Sequence, residues 1–246
     1  MRGILVRVAA DSEYGEWHCP VEPDTNLFVY VPIWDDEEKR YRRGLAHSFR
    51  QLEPALNSFN QACRLKKQER VELPSHLSRR TMHLDPDFEH LTYGDNGDAR
   101  GSDMRCLLAG DFLAFYAGLS PVRLCTHNLV YALVGLFVIE RITYATHLRQ
   151  RDWHKNAHTR WQPISKKDIV VWAKPGISGR LTRCIPIGEL RKGAYRVRKD
   201  LLAEWGNLSI KNGFIQRSAR PPRFLEPERF YSWFREQRIP LIQRNN

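Results

Sequence analysis

The chain of 246 residues has few means of covalent or metal cross-linking. Its five cysteines, Cys19, Cys63, Cys106, Cys125 and Cys184, are an odd set with no CxxC pair, and neighbours stand at least nineteen positions apart. Zinc ribbons and fingers need close ligand pairs, so no structural zinc site is expected. The thiols read as reduced and the chain as cytoplasmic. Long hydrophobic runs are also missing: the longest, Leu129 to Ile139, spans eleven residues and ends at Glu140-Arg141. A membrane helix needs about 20, so this run reads as a buried strand and no membrane partner is expected. The start, MRGILVRVAADSEYG, lacks the apolar stretch of a secretion signal. There is no internal repeat, low-complexity tract or Gly/Ser linker. No P-loop, GxGxxG after a strand, GxSxG elbow or HExxH is present. Glu189-Leu190-Arg191-Lys192 is a poor imitation of a nuclease triplet.

Acidic residues are scarce relative to basic ones. Lys and Arg number 39 against 28 Asp and Glu, a net charge of +11, which favours a polyanionic partner. With 42% apolar and 11% aromatic residues, the chain is neither disordered nor collagen-like. The charge is uneven. Residues 191–246 hold thirteen cations, mostly arginine and including Arg217 and Arg220, against five anions, a surplus of eight. Aromatics are interleaved with them. This is either a nucleic-acid-facing surface or a solvated charged face over an aromatic mini-core.

Alternation and apolar runs predict strands at Gly3–Ala9, Phe28–Ile33, Phe112–Tyr116, Leu129–Ile142 and Ile169–Ala173. Leu52, Leu56, Phe59 and Cys63 at helical spacing predict a helix from Ser48 to about Gln68, with Pro54 in its first turn. Short helices are expected at Lys199–Trp205 and Pro227–Gln237, the latter with Phe230, Trp233 and Phe234 on one face. Consecutive strands argue for an α+β fold: a mixed β-sheet or PUA-like partial barrel with peripheral helices. Residues 1–190 would form the core, with a helical basic C-terminal extension, 191–246, packed on it. The charge-dense run Asp35 to Arg43 reads as a solvated loop.

Three clusters could carry chemistry. In Arg79-Arg80-Thr81-Met82-His83-Leu84-Asp85-Pro86-Asp87, carboxylates sharing a desolvated pocket could serve as acid and base, and two guanidiniums could bind phosphate. His-x-Asp has the donors for a divalent cation, yet the sequence alone assigns no metal and no cofactor. The plainer reading is a turn with Asp side chains capping amides. In the second cluster, Arg7 inside an apolar strand precedes Asp11, Ser12, Tyr14 and Trp17. It needs an anion, whether a phosphate or simply Asp11. In the third, Asn156, His158, Arg160 and Trp161 could contact bases, against a plain exposed loop.

RVAADSEYGEWHCPVEPDTNLFVYVPI, HLDPDFEHLTYGD, GDFLAFYAGL with YALVGLFVIERI, NAHTRW, RKGAYRVRKDLLAEWGNL and FIQRSARPPRF, in this order, resemble the nucleotide modification associated domain family, third group. The resemblance runs over nearly the whole chain and implies a link to modified DNA bases in phages and bacteria. It brings no established catalytic residues. Members carry glycines near positions where this chain reads Ala9-Ala10-Asp11 and Glu16, which weighs against a phosphate-cradling loop there. At the level of fold, Gly110-Asp111 before Phe112–Tyr116, with Leu133–Val138 following, is similar to PUA-like barrels, some of which bind modified bases.

Three functions stay open on this reading. One is an enzyme on a nucleobase or nucleotide, with Asp85, Asp87, His83 and Asp11 in acid/base roles. In it, Arg7, Ser12, Tyr14, Trp17, Arg79, Arg80, Asn156, His158, Arg160, Trp161, Arg217 and Arg220 would contact the ligand. Another is a non-catalytic reader of modified DNA. The third is a protein-partner module using the Phe230/Trp233/Phe234 face. Nucleic acid, DNA before RNA, or a nucleotide is the expected partner, and the oligomeric state is open.

Overall fold

A computed structural model describes residues 1–11, 16–35, 39–96, 104–125, 128–216 and 220–246. Strand β1 (Gly3–Arg7) is followed by β2 (Cys19–Val21) and the short β3 (Ile33–Trp34) and β4 (Arg40–Tyr41). Helix α1 (Glu53–Ala62) has Pro54 in its first turn, where a missing N–H costs nothing. It buries Leu56 and Phe59 and stops short of Gln68. The chain reverses at Arg64 (φ 51°), and the Leu65 N–H closes back on the Asn60 carbonyl at 3.0 Å. Then come β5 (Met82–His83), β6 (Thr92–Asp95) and the long pair β7 (Phe112–Pro121) and β8 (Val130–Tyr144). Helix α2 (Ala157–Arg160), β9 (Trp161–Gln162), β10 (Ile169–Ala173) and β11 (Gly179–Pro186) follow. The hairpin β12 (Gly188–Arg191) and β13 (Ala194–Val197) leads to α3 (Lys199–Glu204), α4 (Pro227–Glu236) and β14 (Leu241–Ile242).

The fold is α+β, built on a mixed sheet in the order β1-β7-β8-β10-β6, with β2 beside β7 and β11 and β14 branching from β8. β1 and β2 run parallel to β7, and the other pairs are antiparallel. β8 is long enough to serve two neighbourhoods. Its first half lies between β7 and β11, and its second half, from Ile139, pairs with β10.

Both sheet faces are covered, so the strands read as continuous apolar runs. Alternation still sorts the side chains. Ile4, Val6, Leu113, Phe115 and Ala117 face one cluster; Leu5, Phe112, Ala114 and Tyr116 face the other. On β8 the phase slips: Ala132 and Val134 lie on the first face, then Phe137 and Ile139, because the register shifts opposite Phe115/Tyr116. Gly135 sits at that slip, where a Cβ would meet Phe88 at 2.5 Å and the Gly179 carbonyl at 2.8 Å.

The first face is covered by α1 and by the segment carrying Met82, Leu84, Phe88 and Leu91. The second is covered by α3 and α4. Phe112 stacks on Phe230 with centroids 5.4 Å apart, and Trp205 meets Phe230 edge-on at 5.0 Å. Phe230, Trp233 and Phe234 are thus buried in the protein's own core, which leaves no such face for a protein partner. Among the described residues no helix is long and apolar enough to cross a membrane.

Candidate functional site

β5 is only two residues long, yet its alternation organises the site. Met82 and Leu84 enter the apolar cluster, whereas His83 and Asp85 point away from it. A cavity of about 680 Å³ is accordingly lined by Met82 and Leu84 but by neither His83 nor Asp85. β3 pairs with β5, Ile33 opposite His83, and this sets Asp35 beside the imidazole. Nδ1 of His83 lies 3.0 Å from Asp35 Oδ1, and the other Asp35 oxygen accepts the Tyr41 hydroxyl.

His158 arrives from α2. Asn156 caps this short helix by accepting the His158 N–H at 2.9 Å, and its amide donates to Thr92 Oγ1 at 3.2 Å. Nδ1 of His158 lies 2.7 Å from Asp168, the residue just before β10. Nε2 of His83 and Nε2 of His158 each stand 3.8 Å from Oδ2 of Asp85. The two imidazoles meet edge to face at 5.2 Å. The side chains of His83, Asp85 and His158 retain 11%, 7% and 11% of their surface, so the centre is buried but not sealed.

Asp85 Oδ1 accepts the Gly94 N–H at 2.6 Å. Burial pushes the Asp85 carboxyl up to about 6, against the pull of His158, His83 and that amide. For His158, burial opposes protonation, but the bond to Asp168 and the charge of Asp85 outweigh it and raise its pKa. A carboxyl lifted to about 6 beside an imidazole can pass a proton near neutrality. Among the described residues, these three also form the one group of His, Cys, Asp or Glu whose ligand atoms all lie within 4.8 Å of one another.

Trp161 walls the centre. It stacks on His83 (5.3 Å, 19°), lies 5.5 Å from His158 and carries Lys39 Nζ 3.8 Å from a ring centroid. Its strand β9 pairs with β4, so the run beginning at Asp35 is partly structured rather than a plain solvated loop: Asp35 is buried and Tyr41 lies opposite Trp161.

Asp87, two residues from Asp85, has a different task. It accepts the amides of Glu89 and His90 at 3.0 and 3.1 Å, the His90 ring at 2.9 Å, the Asn245 amide at 3.1 Å and the Arg160 guanidinium. Burial alone would raise its pKa, but the His90 and Arg160 contacts hold it down at about 2. It is the turn-capping carboxylate, permanently ionised. Arg160 is buried against it and also donates to the His154 carbonyl at 2.9 Å, so it braces α2.

The other candidates lie elsewhere. Arg7 pairs with Asp11 at 2.7 Å and donates to the Gln216 carbonyl at 2.5 Å, which is the structural-pair reading of that cluster. Asp11 is not among the atoms converging on Asp85. Trp17 packs partly buried against the first-face cluster. Arg79 is exposed, Arg80 lies over Trp34 at 4.8 Å, and Arg220 is exposed. Ser12, Tyr14 and Arg217 lie outside the described residues. The reading of residues as a linear string missed Asp35, Asp168 and Gly94. An Asp directly before the apolar run Ile169–Ala173 was a usable signal; Asp35 was hidden in a charged run.

The chain matches the family profile described as nucleotide modification associated domain 3 over residues 2–219. The chain belongs to that family. The match contains every residue of the centre, from Asp35 to Asp168, and ties the nucleotide modification associated domain to an association with nucleotide modification. No curated protein and no solved structure gives a match.

Proposed function

We propose that this chain is an enzyme acting on a nucleobase or nucleotide, DNA before RNA, with His83, Asp85 and His158 as the reacting groups. The observation that carries the reading is the convergence of two carboxylate-held imidazoles on one buried carboxylate. A protein that only grips a nucleic acid needs surface cations for the phosphates, not a buried acid/base cluster whose members are each oriented by a second residue. Trp161 with Lys39 over it offers an aromatic wall and a cation at the rim, which suits a base carrying a phosphate. Asn156, Arg160 and Asp87 serve as scaffold in this reading, and Asp85, not Asp87, takes the acid/base role.

The test is nucleoside analysis by mass spectrometry after incubation with modified and unmodified DNA and with free nucleotides. The wild type should alter one substrate class, and Asp85→Asn should lower the rate by about 10²–10⁴-fold, the usual worth of a positioned acid or base. Identical profiles with and without protein across all substrates would sink the reading.

A reader is the second possibility, and one observation favours it: Lys192, Lys199, Arg223, Arg235 and Arg238 are exposed on the C-terminal layer. Tight DNA binding with no turnover, unchanged in Asp85→Asn, would select it.

A further inference from the structure

The centre holds three hydrogen-bond acceptors that face one another. Nδ1 of His83 is engaged by Asp35 and Nδ1 of His158 by Asp168. A carboxylate only accepts, so the hydrogen-bond network assigns the ring proton to each Nδ1 and leaves a lone pair on each Nε2. Each Nε2 stands 3.8 Å from Asp85 Oδ2, too far for a hydrogen bond. Three converging groups with electron pairs to give form a ligand set for an electrophile.

The charges agree. Asp35, Asp85 and Asp168 have side chains only 6–7% exposed. Among the described residues their ion-pair partners are His83 and His158, and no lysine or arginine reaches any of them. In a chain of net +11, three buried carboxyl groups and two imidazoles gathered without a lysine or arginine form a pocket of electron-pair donors suited to a cation.

We propose that His83, Asp85 and His158 hold a single divalent first-row transition-metal ion, with Asp35 and Asp168 as positioning residues for the two imidazoles. This rests on the same centre as the proposed function and names the cofactor class it would use. The geometry suits it. Ligand atoms about 2.1 Å from a metal at tetrahedral angles stand roughly 3.4 Å apart, against 3.8 Å for each imidazole–carboxylate pair and at most 4.8 Å within the set. Imidazole donors select zinc, iron or cobalt over magnesium and calcium. The Asp–His–metal relay on both histidines is how protein sites fix the tautomer and ring orientation of a ligand. Three protein ligands leave open positions for water or substrate, as catalytic sites do and closed structural sites do not.

The experiment uses the full chain, stripped with a chelator and checked by circular dichroism, then titrated with Zn²⁺ by calorimetry and with Co²⁺ by visible absorption. One ion per chain is expected, with a cobalt d–d band and no sulfur charge-transfer band, which excludes exposed Cys106 and Cys125 as ligands. His83→Ala and His158→Ala should abolish binding. Asp35→Asn and Asp168→Asn should weaken it about 10–100-fold with unchanged circular dichroism. No binding by the folded wild type, or wild-type affinity in either alanine variant, overturns the proposal. If the alanine variants do not fold, the isosteric Asp85→Asn decides: wild-type affinity there overturns it. The two proposals fail separately. A bound metal without any altered nucleoside removes the enzyme and keeps the site, whereas turnover by a folded wild type that binds no metal removes the site and keeps the enzyme.

Discussion

Two aspartates separated by one proline have opposite fates, and their partners decide which. Asp87 meets two backbone amides, the Asn245 amide, an imidazole and a buried guanidinium and is held ionised. Asp85 meets one amide and two imidazoles in a desolvated pocket, and its pKa rises to about 6. Nothing in the string Asp85-Pro86-Asp87 distinguishes them. The same scale explains Gly94. A Cβ there would lie 2.2 Å from the His158 ring and 2.9 Å from Asn156 Oδ1, while the backbone N–H must still reach Asp85. Gly94→Ala should therefore displace His158 and destabilise the chain by about 1–3 kcal/mol, the usual cost of overpacking a filled core. Urea unfolding measures the loss, and Zn²⁺ titration should show weakened binding. An unchanged midpoint with unchanged affinity would show that the ring is not held where β6 places it.

At the scale of elements, periodicity located α1, α3 and α4 and the long strands because their burial is set by local patterns. Leu56 and Phe59 on α1, and Phe230, Trp233 and Phe234 on α4, are buried as their spacing requires. The short strands β3, β4, β5 and β9 were not legible. Each is two residues long and exists only because a distant segment pairs with it. They carry the site, since they bring Asp35, Tyr41, His83 and Trp161 together. The α4 layer lies on the opposite face of the sheet from Met82 and Leu84. Phe230→Ala should cost about 3–5 kcal/mol by removing a ring stacked on Phe112 and edge-on to Trp205. Under conditions where the variant stays folded, its Zn²⁺ affinity should equal that of the wild type. A parallel loss of affinity would show that the two faces are coupled through the sheet.

For the molecule as a whole, charge and chemistry are divided between the faces. Among the described residues, Lys199, Arg223, Arg235 and Arg238 are exposed on the layer that buries Trp205 and Phe230, while the histidine centre sits among elements of the first face. The chain end nevertheless reaches the acidic turn, where Asn245 donates to Asp87 and Arg244 lines the same cavity. If the layer contacts a duplex, log affinity should fall against log salt with a slope of about −0.9 per phosphate contacted, and Arg235→Gln with Arg238→Gln should flatten it by up to about 1.8. A filter-binding or fluorescence titration across salt concentrations reads this, and a flat response in the wild type would remove the layer as a nucleic-acid face.

Composition and pattern alone determined the α+β class, the long strands, the main helices, the basic C-terminal region and the candidacy of His83, Asp85 and His158, because each rests on neighbours in sequence or on net charge. Tertiary structure alone decided which carboxylate would be isolated with two imidazoles and which would be neutralised by Arg160. It also supplied Asp35 and Asp168, which stand 48 and 10 residues from the histidines they orient. Desolvation and convergence are properties of packed surfaces, and packing against a distant segment leaves no period in the sequence.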